Sequence, residues 1–262
     1  MAQGDVEVAI TNNNSHICAS FDGTDDFLSA DGDDFNYSTD IDWSFTFWLK
    51  VTDDLAAATA RMFCKSSIPG GTGWFSDLTH NKFRLFTKLG AHYSAIMTNT
   101  FVFLDKWTHM AIVVDRSVGT KMYINGSEVA VTENNLENLN DNCSAAKNLQ
   151  IGKLDNQSVN WLGGQMADIR MFSNKVLSAT EVSQIYGSTK VTDGLTSTWN
   201  FEAKNYTDQE GKNDLTNTGT SIIIADSDIL AVVKAARVTA NDIYLPFATA
   251  GSQVGTVHIE EA

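Results

Sequence analysis

LQIGKLDNQSVNWLGGQMADIRMFSNKVLSATEVSQIYG is the sequence of residues 149–187. This segment indicates the fold of the chain. It predicts a strand, a loop, a second strand and one short helix. Apolar and polar residues nearly alternate from Met166 to Phe172, as in a half-buried strand, which places Asp168 and Arg170 on one side. Ile169 and Met171 are then close to the core. Few folds have this order of elements.

The helix is delimited by its own sequence. Ser178 is a suitable N-cap, and Glu181 three residues later completes the pattern of a capping box. Gly187 is expected to end the helix. One apolar face is formed by Val182, Ile185 and Tyr186.

Period-two alternation recurs in further segments, and polar turns separate them. These segments are residues 44–49, 82–86, 110–114 and 121–124. Many short strands joined by polar turns indicate a β-sandwich or a barrel. Asn125-Gly126 is the strongest hairpin signal, because a type I′ turn needs two residues that tolerate positive φ, and Asp22-Gly23 is the second.

Four segments, taken in order, resemble one family of domains. GGQMADIRMFSNKVLSATEVSQIYG (163–187) resembles the closing motif of laminin G-like and pentraxin-like domains, which are concanavalin A-like jelly rolls. SFDGTDDFLSA (20–30) is similar to the family's early hairpin, DWSFTFWLKV (42–51) to its core strand and WTHMAIVVDRSVGTKMYINGSEV (107–129) to its central hairpin. The resemblance implies an all-β, concanavalin A-like (laminin G-like) antiparallel jelly-roll β-sandwich with one short helix and a C-terminal extension. Ala167 departs from the pattern, because the family often has an acidic residue there.

The resemblance covers about Ser20 to Gly187, and we predict three parts of the chain: an N-terminal segment (1–18), the sandwich (19–225) and a C-terminal extension (226–262) without such a resemblance. Residues 194–215 resemble an element that often precedes the early hairpin in this family, although here they come last. Because the termini of a sandwich tend to lie close together, strands at 198–201 and 215–224 are expected to complete the same domain. The extension is too apolar for a disordered tail. We expect it to anchor the chain to a partner or to join copies into a homo-oligomer.

The composition restricts the partners. Lys and Arg number 18 and Asp and Glu number 32, which gives a net charge of −14 at pH 7. Nucleic acid and anionic membranes are therefore poor partners, because both would repel the chain. No segment approaches the roughly 20 apolar residues of a membrane-spanning helix, so no membrane insertion is expected. Cys18, Cys64 and Cys143 are odd in number and widely spaced, which favours buried free thiols.

Two locations agree with these features. The first residues, MAQGDV, lack the basic and long apolar regions of a signal peptide, whereas the resembling family works mostly outside cells as recognition modules. A location on the virion surface of a bacteriophage agrees with both the missing signal peptide and the extracellular role of the family, because a particle released by lysis needs no signal peptide. Other virion proteins would then be the partners. The alternative is an extracellular or cell-surface protein, with envelope structural proteins as partners, whose signal has been removed.

The usual catalytic patterns are missing from the sequence, and we expect no enzyme activity. Glycosidases on this fold need two facing carboxylates, roughly 5–5.5 Å apart for retention, and the related glucanases place them on one strand as ExDxE. That motif is absent, and so are GxSxG, Walker A and HExxH. The adjacent acidic pairs, such as Asp53-Asp54, lie in turn-like sequence.

Calcium is the cofactor for which the sequence offers candidate ligands. It prefers six to eight oxygen ligands, which loops rich in Asp and Asn can supply. One candidate site is the early hairpin, with Asp22, Asp25 and Asp26, joined by Asp168 if the closing strand lies beside it. Ordinary turn chemistry explains the same Asp-Gly-Thr-Asp-Asp sequence equally well. The loop of Asp155 offers a pentraxin-like position, but its partner loop is short of carboxylates.

A glycan-binding surface needs an aromatic platform beside amides and carboxylates, because sugars present apolar CH faces and directional hydroxyls. Candidate residues lie in predicted loops, whereas Trp48 and Trp107 are expected in the core. The candidates are Trp74, Tyr93, Asp155, Asn156 and Trp161. Two functions follow. One is a non-enzymatic structural or decoration protein of the virion surface whose lectin-like sandwich binds glycans or host surfaces. The other is a secreted or cell-surface carbohydrate-binding or adhesion module, calcium-dependent or not.

Overall fold

The computed structural model describes residues 17–52, 59–66, 71–89, 92–98, 104–154 and 158–224, and only the backbone at residues 89, 92, 93, 221 and 224. This part of the chain forms sixteen strands and one α-helix, α1 (Ala179–Tyr186). The strands are β1 (Ile17–Asp22), β2 (Phe27–Ala30), β3 (Trp43–Val51), β4 (Thr59–Ser66), β5 (Gly73–Thr79), β6 (Lys82–Leu89), β7 (His92–Thr98), β8 (Thr108–Asp115), β9 (Gly119–Ile124), β10 (Ser127–Val129), β11 (Val131–Asn134), β12 (Leu149–Ile151), β13 (Gly163–Ser173), β14 (Leu195–Trp199), β15 (Leu215–Thr218) and β16 (Ser221–Ile224).

The strands form two antiparallel sheets that pack face to face. The first sheet has the order β10-β9-β8-β3-β13-β1-β16, and β14 also pairs with β13. The second sheet has the order β11-β7-β6-β5-β4-β12-β2-β15. The predicted fold, a concanavalin A-like antiparallel β-sandwich with one short helix, is confirmed.

The core between the sheets is rich in aromatic side chains. All nine residues of β3 are buried, because one face packs against the second sheet and the other is covered from outside. Its inward side chains include Trp43 and Phe45, whose rings stack at 5.5 Å between centroids. Removing such a side chain from water contributes about 1.5–3 kcal/mol, so this strand is a main source of stability.

Strand β13 lies between β3 and β1, at the centre of the first sheet. Its register against β3 shifts between Ala167 and Arg170, and Asp168 has a φ of 43°. The extra residue of this β-bulge turns Asp168 toward Arg170, whose Nε and Nη2 donate to its two carboxylate oxygens at 2.9 and 2.7 Å. The prediction that these two side chains share one side of the strand is confirmed.

Helix α1 begins and ends where the sequence predicts. The Ser178 hydroxyl accepts the N–H of Glu181, and the Glu181 carboxylate accepts the N–H of Ser178, which confirms the capping box. Gly187 is the C-cap. Val182 and Ile185 are buried in a cluster with Phe172 of β13, so the helix covers part of the outer face of the first sheet.

The two expected hairpins have different outcomes. Asn125 and Gly126 both have positive φ, 51° and 78°, and join β9 to β10 as predicted. The predicted hairpin at Asp22-Gly23 is wrong. Strands β1 and β2 belong to different sheets, so residues 22–26 form a corner that carries the chain across the sandwich.

Residues 195–224 add three strands to the sandwich, whereas the sequence predicts two, because a turn at Gly219 divides residues 215–224 between the two sheets. Strand β14 pairs with β13, β15 with β2 and β16 with β1. The first of these strands ends at Trp199 rather than Phe201, because Phe201 has a φ of 59°. The C-terminal extension, residues 226–262, lies outside the described residues.

Two expectations about side chains and membranes also have an outcome. Cys18, Cys64 and Cys143 are buried thiols that form no disulfide bond within the described residues, as predicted. Trp48 and Trp107 are buried too, but in a small cluster with Cys18 and Ala167 rather than in the core between the sheets. Within the described ranges, no helix has the length and apolar character needed to cross a membrane.

Candidate functional site

The corner at residues 22–26 gathers three carboxylates. One oxygen each from Asp22, Asp25 and Asp26 lie within 4.8 Å of one another. The Asp22 Oδ1 accepts the N–H of Thr24 at 2.7 Å and that of Asp25 at 3.3 Å, which is Asx-turn chemistry. The Asp26 Oδ2 accepts the N–H of Asp22 at 3.0 Å. The carboxylates of Asp22 and Asp26 therefore shape the corner.

Asp26 is the buried member of this group. Burial raises the pKa of its carboxyl above the ordinary value, the N–H of Asp22 opposes this rise, and the charges of Asp22 and Asp25 add to it. Gly219, in the turn between β15 and β16, faces this carboxylate. It has a φ of 81°, and a Cβ there would lie 1.9 Å from the Asp26 Oδ1, so only glycine fits.

An aromatic platform lies next to this corner. Phe27 and Trp161 are both partly exposed, with ring centroids 6.1 Å apart. The Lys153 Nζ is 4.3 Å from the Phe27 centroid and 5.2 Å from that of Trp161, which places a cation over both rings. We call these three residues the Trp161 platform. The two rings are tilted by 42° to each other, and together they present apolar surface beside charge.

Backbone hydrogen bonds fix the corner to the platform. The N–H of Gly23 donates to the carbonyl of Leu162 at 3.0 Å, and the N–H of Leu162 donates to that of Gly152 at 3.0 Å. Gly152 and Leu162 are neighbours of Lys153 and Trp161 in the chain. The acidic corner and the platform thus form one end of the sandwich.

The calcium hypothesis can be tested against the donor set. The Asp22 Oδ2, the Asp26 Oδ1 and both oxygens of Asp25 have no partner among the hydrogen bonds of the described residues. Carboxylate oxygens are the ligands that calcium prefers, and backbone carbonyls or water would have to complete the six to eight that it needs. The three residues therefore fit part of a calcium site.

Asp168 does not belong to this cluster, so its prediction as a calcium ligand is wrong. Strand β13 does pair with β1, but the register places Gly163 opposite Asp22 and Met166 opposite Ala19. Asp168 therefore lies five residues along the strand from the corner, about 16 Å away. Both of its oxygens accept bonds from Arg170.

The predicted ligand-binding residues are divided by the structure. Trp161 is partly exposed in its loop, as expected. The exposed role predicted for Trp74 is wrong, because it lies inside β5, is fully buried and donates its Nε1–H to the carbonyl of Phe35 at 3.0 Å. The glycines around it suggested a loop. Asp155 and Asn156 lie outside the described residues, and Tyr93 is described by its backbone in β7 but not by its side chain.

Phe27 and Lys153 were not predicted as site residues from the sequence. In FLSA, residues 27–30, Leu28 and Ala30 are buried and Phe27 and Ser29 are half-buried. This alternation puts Phe27 on the outer face of the second sheet, and it is the signal from which the exposure of Phe27 could have been predicted. The position of Lys153 over two rings depends on pairing between distant strands, which the local sequence does not encode.

His109 is a buried titratable ring. Burial lowers its pKa to about 4, the Asp168 charge opposes this and the Arg170 charge adds to it. The ring lies 5.3 Å from that of Trp48 and 5.6 Å from that of Tyr186. It is therefore a neutral packing group.

The comparisons with known proteins agree with this architecture. The family model for the concanavalin A-like lectin/glucanases superfamily matches residues 11–183, which is more than half of the chain. No curated protein matches.

Solved structures with this fold include proteins of several kinds. A protein from Bacteroides ovatus, provisionally assigned as carbohydrate binding, is 14% identical with a TM-score of 0.61, and the match covers 80% of this chain and 60% of that one. A heptameric SAP-like pentraxin from Limulus polyphemus is 16% identical with a TM-score of 0.58, over 82% and 98% of the two chains. The receptor binding domain of botulinum neurotoxin D is 20% identical with a TM-score of 0.51, over 71% and 47%.

At these identities the likeness shows the fold alone. The chain spans 60% of the length of the Bacteroides protein and about half of the toxin domain. Together with the two antiparallel sheets and the capped helix, the match over residues 11–183 shows that this chain belongs to the concanavalin A-like lectin/glucanase superfamily.

Proposed function

We propose that this protein is a non-enzymatic carbohydrate-binding module that holds a sugar on the Trp161 platform. The observation that carries the proposal is the pair of partly exposed rings, Phe27 and Trp161, with the Lys153 ammonium over both. Sugars present apolar CH faces to such rings and hydroxyls to nearby polar groups. The carboxylates of the adjacent corner are suitable acceptors for those hydroxyls.

The family supports the same proposal. The superfamily is one of lectins and glucanases, and the Bacteroides protein is provisionally assigned to carbohydrate binding. Against the glucanase alternative, Asp22 and Asp26 each use one oxygen to hold the backbone of the corner. Glycosidases need two carboxyl groups placed on either side of a scissile bond, one of them free to donate a proton. We therefore favour binding without hydrolysis.

The glycan test uses a glycan array followed by titration calorimetry with the best ligand. Trp161→Ala is expected to weaken binding about tenfold or more, because it removes half of the platform. Val159→Ala is the matched control, since Val159 is exposed in the same loop but is not part of the platform. No binding to any glycan, or equal binding by both variants, would overturn the proposal. Release of reducing ends from the ligand would show that the protein is a hydrolase instead.

Calcium at the corner is the second part of the proposal. It rests on the three carboxylates within 4.8 Å. An ion there would replace the mutual repulsion of these groups by attraction, so calcium is expected to raise the melting temperature of chelator-treated protein. Asp25→Asn should abolish this rise, because it removes one of the three carboxylates. The corner should stay intact in this variant, since the side chain of Asp25 holds no backbone group. No heat in calorimetric titration and no change in melting temperature would retire the site.

For the location we propose a virion surface, where the sandwich would be an outward-facing structural or decoration element beside other virion proteins. Mass spectrometry of purified particles and of a cell-envelope fraction separates the two locations. Absence from particles, together with presence in the envelope, would favour a secreted or cell-surface adhesion module instead.

A further inference from the structure

The outer face of the second sheet carries a second group of charged and aromatic residues, away from the corner. Asp77 of β5 is fully buried there. The Arg84 Nε and Nη2 donate to its two oxygens, each at 2.9 Å, and the Arg61 Nη1 donates to its Oδ2 as well. Two guanidinium groups thus share one carboxylate. The trio keeps one positive charge, and its guanidinium groups remain partly accessible.

Two stacked rings lie beside this trio. Phe75 of β5 and Phe86 of β6 face each other across the strands with centroids 4.6 Å apart and an interplanar angle of 13°. The Arg84 guanidinium carbon is 4.6 Å from the Phe86 centroid, and that of Arg61 is 5.9 Å from the Phe75 centroid. Both rings are partly exposed. We call these five residues the arginine–phenylalanine patch.

The charge of this face is opposite to that of the chain. In β6, buried residues alternate with half-buried ones, so Lys82, Arg84, Phe86 and Lys88 all lie on the outer face. With Arg61, the outward positions of β4, β5 and β6 hold four cations against the single carboxylate of Asp77. The whole chain has a net charge of −14. Because salt screens charges beyond about 8–10 Å, a ligand in contact with this face experiences mainly the local cations.

We propose that the arginine–phenylalanine patch is a binding site for a carboxylate-bearing sugar, such as a uronic acid residue of an acidic glycan. The sugar carboxylate would accept hydrogen bonds from the accessible guanidinium N–H groups of Arg61 and Arg84. The CH groups of the sugar ring would contact the exposed parts of Phe75 and Phe86, whose faces stack on each other and lie against the guanidinium groups. Asp77 is a positioning residue, because it holds both guanidinium groups beside the rings.

The chemistry distinguishes this ligand from other anions. Arginine forms planar, paired hydrogen bonds with carboxylates, and the adjacent rings reward a ligand that also has apolar CH surface. A long polyanion such as nucleic acid would extend past the patch toward the acidic remainder of the molecule, where it is repelled. The proposal goes beyond the function proposed above, which rests on the Trp161 platform.

The test compares tetragalacturonate with its fully methyl-esterified form by calorimetry on the full chain. Esterification removes the negative charges but keeps the sugar rings. We expect the acid to bind at least about tenfold more tightly than the ester, and the difference to shrink as salt is added. An oligonucleotide of equal charge is the specificity control. Equal affinity for acid and ester, or tighter binding of the oligonucleotide, would overturn the proposal.

The variants assign the binding to the patch. Arg61→Gln leaves the Asp77–Arg84 pair intact and is expected to lower the affinity for the acid about tenfold, with little effect on the ester. Lys121→Gln changes the charge equally at an exposed ion pair on the first sheet and should have no effect. If Arg61→Gln lowers the melting temperature, Lys88→Gln tests the same face without altering the ion pair of Asp77. If both patch variants bind the acid as the wild type does, the trio is only structural.

The two sites can be separated. Trp161→Ala is expected to leave the preference for acid over ester unchanged. A preference lost in Trp161→Ala but kept in Arg61→Gln would contradict this inference and leave the Trp161 platform as the site. Failure of every glycan at the platform, with acid selectivity kept at the patch, would instead remove only the function proposed above.

Discussion

The two sheets of the sandwich differ in what covers their outer faces. On the first sheet, helix α1 buries Val182 and Ile185 against Phe172, and the ring of Tyr186 lies 5.6 Å from that of Trp48. On the second sheet, the described residues leave the stacked rings of Phe75 and Phe86 partly exposed. Rings on the outside of a sheet thus stabilise the fold where the helix packs on them, whereas the partly exposed rings of the second sheet are where we propose that a sugar binds.

The largest expected effect is on the outer face of the first sheet, which helix α1 covers and which we call the covered face. The outer face of the second sheet is called the open face. Ile185→Ala should lower the free energy of unfolding by about 2–5 kcal/mol, because it leaves a cavity under the helix. Phe86→Ala on the open face should lower it by only about 1 kcal/mol, since the ring is already partly in water. Denaturant unfolding of both variants measures the contrast. Similar losses would mean that the second sheet is as closed as the first.

The second prediction concerns pH and the covered face. Burial lowers the pKa of His109 to about 4, against about 6.5 in the unfolded chain, so protonation favours unfolding between these values. The stabilisation is complete above pH 6.5 and is lost as the pH falls toward 4. We expect about 2 kcal/mol less stability at pH 5 than at pH 7 from this residue. His109→Gln should remove that part of the pH dependence.

His80 provides the control for this titration. It is exposed in a turn and has a φ of 51°, a conformation that asparagine tolerates. His80→Asn should therefore keep the pH dependence of the wild type. If His109→Gln and His80→Asn behave alike, the source of the acid sensitivity lies elsewhere in the molecule.

The smallest expected effect tests the attachment of the helix. Ser178→Ala removes the acceptor for the N–H of Glu181 and should cost about 1 kcal/mol. Thermal unfolding followed by circular dichroism measures this loss. A matched substitution outside the box, Ser183→Ala on the exposed side of α1, should cost less. A larger loss at Ser183 would show that the cap does not limit the stability of the covered face.

The capped helix and most strands could be predicted from the sequence because their signals are local. The capping box of Ser178 and Glu181 and the turn at Asn125-Gly126 depend on residues a few positions apart. The corner at Asp22 was mistaken for a hairpin, because local sequence marks a turn but does not say which sheet receives the next strand. Asp168 was misplaced for the same reason: pairing of β13 with β1 could be anticipated, but not its register.

The candidate site was harder to predict than the fold. Trp161 was identified because it lies among polar residues in a loop. Trp74 has glycines around it and was assigned to a loop as well, yet Gly73 is inside β5, where a Cβ would lie 2.1 Å from the carbonyl oxygen of Lys65. The glycine is required by close strand packing rather than by a loop. The arginine–phenylalanine patch depends on three strands in register, so no single segment reveals it.

We expect the open face and the adjoining end of the sandwich to bind glycans while the covered face is structural, and an amide NMR titration with the best acidic glycan from the array tests this expectation. The predicted result is a set of shifted resonances confined to residues 22–29, residue 153, residues 158–162 and the outward positions of β4 to β6, with those of α1 unchanged. Shifts centred on α1, or no shifts on the second sheet at saturating glycan, would contradict it.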